Sequence, residues 1–417
     1  MLLIKFIIII FQTENLTPTI EISGNRFFSA NYLMRNFQPG SDKERLEQFI
    51  KKIIILYNNA GFPFCRVAPE VVSENNCIKK IILKIEEGER VVVRDYTFSN
   101  IKKTIPEVLR NFIHLSSERY FSLKDIERAK FRLLQTGAFN DVKEQLWLRD
   151  GNYYVNFELT ETKSDYINLF GSFAREDQHF GLAFNTLNLL GTLRRLNFNY
   201  EYQKLFALNF VEPVLIAPAE FEANFSLFTY DSLRQVKFDA LLSAPVGENI
   251  RVSIKSGFEN SQESHNTLGL AVSYNNDNII HQNLSIEYLF RNPDRTTIKY
   301  DGAVNFKGLS LEPHYYYVLT NSFDFFDYLR LGGINDIRGY LDEEFFAKKA
   351  YWFNLEYHWL FLFPLLDLGW VGNNFIYAYG FGLTQASEET KGELILAWPR
   401  DGNWRDGKLH IILKRKF

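Results

Sequence analysis

Fifty acidic side chains, 47 basic ones, seven histidines and two cysteines are spread over 417 residues, and few of them are spaced for a reaction. The sequence contains no Gly-x-Ser-x-Gly elbow, no glycine-rich phosphate loop ending in Lys, and no His-Glu-x-x-His. His179, His281, His314 and His358 stand far apart, and neither Cys65 nor Cys77 has partners at zinc-ligand spacing. These residues predict no catalytic group, no metal and no cofactor, so the chain is not expected to be an enzyme. The charges that do sit in a pattern are Asp367 and Glu356. Asp367 lies in Leu365-Leu366-Asp367-Leu368-Gly369 and Glu356 in Phe353-Asn354-Leu355-Glu356-Tyr357-His358-Trp359. On extended backbone successive side chains alternate faces, so both carboxylates point away from their apolar neighbours. Between such runs lies the longest interruption of the alternation, Gly332-Gly333-Ile334-Asn335-Asp336-Ile337-Arg338-Gly339-Tyr340, with one guanidinium between glycines. The chemistry on offer is electrostatic.

The elements that carry these residues extend from about 165 to the end. Leu196-Asn197-Phe198-Asn199-Tyr200-Glu201-Tyr202, Ile250-Arg251-Val252-Ser253-Ile254-Lys255 and Leu284-Ser285-Ile286-Glu287-Tyr288 each place apolar residues on one face and polar or charged ones on the other. A soluble sandwich would bury the apolar face. Here the polar faces repeatedly carry Arg, Lys and Glu while aromatics gather near strand ends, which fits a barrel with lipid outside, a polar lumen and aromatic rims. Aromatic residues make up 16% of the chain. Strands are expected near 166, 179, 193, 205, 221, 234, 249, 267, 283, 296, 309, 351, 363, 375, 392 and 408, about sixteen in all, with fourteen as the alternative count. The sequence has no run of roughly 18 apolar residues for a spanning helix. The formal net charge of −3 gives no basis for a nucleic-acid partner.

The first 163 residues read as two copies of one small module, at 19–90 and 91–163. In the first, Thr19 to Ser23 alternates as a strand and Ala30 to Phe37 is helical. Ser41-Asp42-Lys43-Glu44 is then a capping box, opening a helix with Leu46, Phe49, Ile50, Ile53, Leu56 and Tyr57 on one face. Strands at Phe62 to Val72 and Cys77 to Glu86 close the unit. A hairpin centred on Ser73-Glu74-Asn75-Asn76 would pair Cys65 with about Lys84, leaving two free structural cysteines. The second copy runs Val91 to Phe98, Ile105 to Phe112, a helix opened by Ser122 with Ile126, Ala129, Leu133 and Leu134 on one face, then Val142 to Leu148 and Tyr153 to Thr160. Before both, Lys5 and Ile7 to Phe11 suggest a signal remnant or truncated start over 1–18, although no Ala-x-Ala-like site follows and a buried strand is the alternative.

The loop Ile337-Arg338-Gly339-Tyr340 resembles the loop-six signature, (V/I)RG(F/Y), of the outer-membrane assembly-factor family that includes BamA, TamA and the two-partner-secretion transporters. Asn188-Leu189-Leu190-Gly191, Phe210-Val211-Glu212-Pro213 and Leu365 to Gly369 resemble further elements of that family in the same order. The terminal Phe417, on one face with Leu413, Ile411 and Leu409, resembles its C-terminal barrel signal, from which Arg415 departs. Both N-terminal modules resemble POTRA domains, including Leu56-Tyr57 with Gly61-Phe62 and Ile85-Glu86-Glu87-Gly88. The fold class implied is α+β tandem POTRA modules followed by a transmembrane antiparallel β-barrel. The resemblance also implies that the loop folds inward and that Arg338 meets Asp367 and Glu356.

In function, the resemblance implies a bacterial outer-membrane factor with its modules in the periplasm. It would assemble or translocate polypeptides through module capture and a barrel seam between the strand near Tyr166 and the one from Lys408 to Phe417. Expected partners are unfolded outer-membrane or secreted polypeptides, outer-membrane lipids, and periplasmic chaperones or accessory lipoproteins. The alternatives are a two-partner-secretion transporter that exports one exoprotein, and a passive porin or receptor.

Overall fold

The computed structural model describes residues 19–36, 43–74, 77–175, 178–214, 218–247, 249–261, 263–276 and 279–417. The signal-like stretch at 1–18 and the Ser41-Asp42 half of the capping box lie outside these residues. The chain divides into two compact units, residues 1–102 with 109–161 and residues 103–108 with 162–417.

In the first unit, β1 (Thr19–Ser23), α1 (Ala30–Asn36), α2 (Lys43–Asn59), β2 (Arg66–Glu74) and β3 (Cys77–Glu86) form one module with sheet order β1-β3-β2. Strand β1 runs parallel to β3, which the two intervening helices permit by carrying the chain back across the sheet. The predicted stripe of α2 faces that sheet. Leu46, Phe49, Ile53 and Tyr57 are buried with Ile81, Leu83 and Ile85 of β3, whose spacing of two puts all three on one face. Full burial of such a side chain contributes about 1.5–3 kcal/mol, so this helix-on-sheet contact holds the module together. The module repeats as β4 (Val92–Ser99), α3 (Pro106–Ile113), β5 (Arg119–Tyr120), α4 (Leu123–Gln135), β6 (Phe139–Arg149) and β7 (Asn152–Glu161), with sheet order β5-β4-β7-β6. The Ser122 hydroxyl caps α4 by accepting the Asp125 amide at 3.3 Å.

Two details differ from expectation. Leu134 is 40% exposed while Ile126, Ala129 and Leu133 are buried, because position i+8 has rotated about 80° off the stripe by helical geometry. The β2–β3 register pairs Arg66 with Glu86 and Ala68 with Lys84, so the buried free thiol of Cys65 lies just ahead of the ladder rather than opposite Lys84. A bulge between Val72 and Ser73 contributes to the shift.

Glu87 itself ties the first module. One of its oxygens accepts the Arg26 amide at 2.6 Å, the Phe27 amide at 2.7 Å and the Tyr57 hydroxyl at 2.8 Å. Burial pushes this carboxyl up, but the three donors outweigh it and leave it below the ordinary carboxylate range. A depressed folded value means stability that is present above the unfolded value, about 4.3, and lost as pH falls through the folded one. Glu87→Gln is therefore expected to cost on the order of 1 kcal/mol at neutral pH and to flatten the acid side of the unfolding profile. Thermal melts of the full chain from pH 3 to 7 that follow the same curve for both proteins would refute this.

The second unit is a closed barrel. Its strands are β8 (Asp165–Phe173), β9 (Gln178–Thr186), β10 (Arg195–Glu201), β11 (Leu205–Glu212), β12 (Glu220–Tyr230), β13 (Leu233–Pro245), β14 (Ile250–Asn260), β15 (Ser264–Asn276), β16 (Ile280–Phe290), β17 (Arg295–Phe306) and β18 (Leu309–Thr320). A small ribbon, β19 (Leu329–Leu331) with β20 (Phe345–Ala347), lies inside the next connection. The wall resumes with β21 (Lys349–Tyr357), β22 (Leu362–Val371), β23 (Asn374–Ala386), β24 (Thr390–Pro399) and β25 (Lys408–Lys416). All sixteen wall strands pair antiparallel with their neighbours, and β25 pairs with β8 from Leu409 opposite Phe173 to Lys416 opposite Tyr166. Closure leaves no strand edge, the condition for a sheet to sit in lipid. Among the described residues no helix is long and apolar enough to cross a membrane.

The period of two sorts the faces as expected for Ile254, Leu268, Leu270, Leu284 and Ile286, which are exposed on the outside, and for Lys255, Glu259 and Glu287, which pair within the lumen. The lumen is not polar throughout. Phe363, Leu365, Ile395 and Ala397 form a buried apolar patch on the inner face of β22–β24. Ala350, Trp352, Val371, Ile376 and Ala378 form another. The second patch is the apolar seat of the 321–348 connection, whose Leu331, Ile337 and Ala347 pack into it.

Candidate functional site

The connection from β18 to β21 enters the barrel mouth as a folded strap. It opens on a short helical turn at Phe325–Asp327, where the Asp324 and Asp327 side chains cap each other's backbone reciprocally. After β19 the chain reverses at Gly332, with φ +127°, where an added Cβ would lie 2.0 Å from the Leu341 carbonyl oxygen. Ile337 then inserts fully buried among Leu331, Ala350, Trp352, Val371, Ile376 and Ala378. This apolar plug sets the height at which Arg338 meets the wall.

Arg338 is 5% exposed. Its Nε and Nη2 donate to the two oxygens of Asp367 at 2.9 and 2.6 Å, and its Nη1 donates to Glu356. The Arg338 amide adds a third bond to Asp367 at 2.9 Å, and Asn354 Nδ2 a fourth at 2.8 Å. Asp367 is completely buried, so it depends on these four donors. A planar fork suits this bidentate geometry where a lysine ammonium does not. Gly339 follows because the backbone lies against the wall. A Cβ there would stand 2.5 Å from the Trp398 carbonyl group and 2.6 Å from the Ala378 Cβ. The Tyr340 hydroxyl donates to the Tyr377 carbonyl at 3.2 Å and accepts the Arg400 amide at 3.4 Å.

Three features of this site were not singled out in the sequence. His410 of β25 is fully buried and its Nε2 bonds to the Arg338 carbonyl at 2.7 Å. Alternation within Leu409-His410-Ile411 assigns it to the lumen, which is a signal the sequence does carry. Asp327 is fully buried and pairs with Arg291 at 2.5 Å and Arg295 at 2.9 Å, and Arg295 also pairs with Glu259 at 2.8 Å. Lys204, in the β10–β11 turn, pairs with Asp342 at 2.5 Å and Glu343 at 3.2 Å. Neither of these clusters has a sequence pattern, since each joins residues 32 or more positions apart.

The remaining motif residues take structural places. The Asn188 Oδ1 accepts the Leu193 amide at 2.8 Å and holds its turn, and the buried Glu212 pairs with Arg194 and accepts the Val214 amide at 3.0 Å. Leu413, Ile411 and Phe417 lie on the outer face of β25, with the Phe417 ring 6.4 Å from that of Phe184 and its amide bonded to the Asp165 carbonyl at 2.9 Å. His179 pairs with Glu201, His314 with Asp301 and His358 with Glu356, each as a neutral or charged hydrogen-bond partner.

A closed sixteen-stranded barrel with an inward strap defines the class, an outer-membrane-type β-barrel. No protein-family model and no curated protein sequence matches the chain. Solved structures do. BamA from Haemophilus ducreyi lacking POTRA domains 1–3 superposes with a TM-score of 0.58 at 14% identity, covering 97% of this chain and 100% of that one. CdiB from Acinetobacter baumannii gives 0.58 at 11% identity, over 97% and 91% of the two chains. CdiB from Escherichia coli gives 0.59 at 11% identity, over 98% and 91%. At these identities the likeness is one of fold.

Proposed function

We propose that this chain is a non-enzymatic outer-membrane factor of the BamA/TamA type, which inserts or translocates polypeptides from the periplasmic side. The observation that carries the reading is the Arg338 fork on Asp367 and Glu356, buried beneath an inward strap in a closed sixteen-stranded barrel. The strap buries Ile337 and Arg338 against the inner wall, a seat to which the passive-pore reading assigns no role. The two α/β modules are POTRA domains in this reading. Each leaves one long strand at a sheet edge, β2 or β6. An extended polypeptide adds to such an edge through backbone hydrogen bonds. Strand β6 suits this better, because β2 carries Pro69, which lacks an amide donor. The substrate then pairs at the β8–β25 seam once it opens, and the driving force is substrate folding and burial in lipid rather than nucleotide hydrolysis. Accessory lipoproteins or chaperones and the lipids themselves are the further partners.

General assembly and dedicated two-partner secretion have equal structural support, since BamA and the two CdiB barrels superpose to the same degree. Depleting the protein and quantifying the outer-membrane and secreted proteome separates them. Broad loss of barrel proteins establishes general assembly, and loss of one large secreted protein establishes dedicated export. A proteome unchanged in both fractions would refute the proposal.

A further inference from the structure

We propose that residues 337–343 form a latch that holds the β8–β25 seam shut from inside the barrel. The inference rests on the proposed function, in which this seam opens during the working cycle.

Pairing length does not single out the seam. Strands β25 and β8 pair over eight residues, whereas β9 and β10 pair over six. What distinguishes the seam is that one short segment grips the wall on both sides of it. On the β25 side, His410 holds the Arg338 carbonyl at 2.7 Å, and Tyr340 bonds to the Tyr377 carbonyl of β23 at 3.2 Å. On the β8 side, Asp342 pairs with Lys204 at 2.5 Å and approaches His179 of β9 at 3.9 Å, while Glu343 pairs with Lys204 at 3.2 Å. Glu201 completes this second anchor, 3.0 Å from His179 and 3.7 Å from Lys204. Arg338 and Asp342 are close neighbours in the chain, yet their anchors lie on β25 and, beyond β8, on β9 and the β10–β11 turn.

The backbone between the anchors is a few residues long and folded into hydrogen-bonded turns. The Tyr340 amide donates to the Ile337 carbonyl at 3.2 Å and the Gly333 amide to the Tyr340 carbonyl at 3.2 Å, so lengthening the segment breaks its turns. Separating β25 from β8 therefore pulls on these turns and, through them, on the two anchors. The two are unequal. The Arg338 side is buried and held by a bidentate fork plus the Ile337 plug, whereas the second anchor is a cluster of ion pairs centred on Lys204 and Asp342, each about a fifth exposed to water. The Lys204–Asp342 side is the one that lets go.

The test is amide hydrogen exchange on the full chain in lipid nanodiscs, comparing K204E, D342K and the K204E/D342K swap. Each single variant should speed exchange in 166–173 and 409–416 by about tenfold, the range of a modest coupling energy, with β14–β16 unchanged and the swap restoring protection. The latch is overturned if the singles exchange at these strands like the unaltered protein, if β14–β16 accelerate equally, or if the swap fails to restore protection. The readout is independent of transport. Failure here with normal proteome effects on depletion removes the latch alone, and failure of the depletion experiment leaves the exchange result standing.

Discussion

Arg338→Ala is expected to undock the strap and abolish activity. The substitution leaves Asp367 buried with only Asn354 as a side-chain donor and leaves Glu356 with His358 alone. Breaking a buried ion pair by removing one member costs about 3–5 kcal/mol, because the charge left behind stays unsolvated and unpaired. A loss of that size shifts the strap's docking equilibrium by about a hundredfold or more toward the released state. Limited proteolysis of membranes should then cleave within 332–344, where the unaltered protein resists, and the proteome should resemble that of depleted cells. Arg338→Lys keeps the charge but loses the fork, so its cleavage rate should fall between the two. Intact protease resistance together with normal activity in Arg338→Ala would show that the guanidinium is an ordinary loop charge.

Gly339→Ala is expected to do nearly the same with a single methyl group and no change in charge. The methyl would overlap the Trp398 carbonyl and the Ala378 Cβ, both on wall strands that cannot move aside without distorting the barrel. Overpacking of this kind typically costs about 1–3 kcal/mol where neighbours can adjust, and a rigid wall puts Gly339 at the upper end. The strap should become protease-sensitive while the barrel still migrates as a folded, heat-modifiable species. Gly247→Ala is the control, since a Cβ there meets nothing within 4 Å, and it should behave as the unaltered protein. A protease-resistant strap in Gly339→Ala would mean that the close approach at this glycine is not needed for docking.

The two experiments probe different halves of one seat. Arg338 tests the polar contact that gives the strap its register, and Gly339 tests the approach that lets the contact form. The latch across the seam depends on both, because His410 binds the carbonyl of Arg338 itself.

Local periodicity decided much of this protein before any tertiary contact. The switch from a helical to a two-residue repeat near Tyr166 separates modules from barrel, and the sixteen strands fall where the alternation places them, from Asp165–Phe173 to Lys408–Lys416. Face assignment follows from the same rule, so Asp367, Glu356 and Asn354 were legible as inward residues from their neighbours alone. The helix stripe Leu46, Phe49, Ile53 and Tyr57 was legible for the same reason.

The family resemblance implied that Arg338 meets Asp367 and Glu356, but spacing did not, and only the tertiary structure brought in His410 and the Lys204–Asp342 pair. Arg338 and Asp367 are 29 positions apart, His410 and Arg338 are 72 apart, and Lys204 and Asp342 are 138 apart. No local pattern encodes such pairings, because they depend on barrel closure and on how deeply Ile337 seats the strap. The apolar patches inside the lumen, around Phe363 and around Trp352, escaped for the same reason. Alternation tells which way a side chain points, but whether lipid, water or a folded strap waits there is settled only when the sheet has closed.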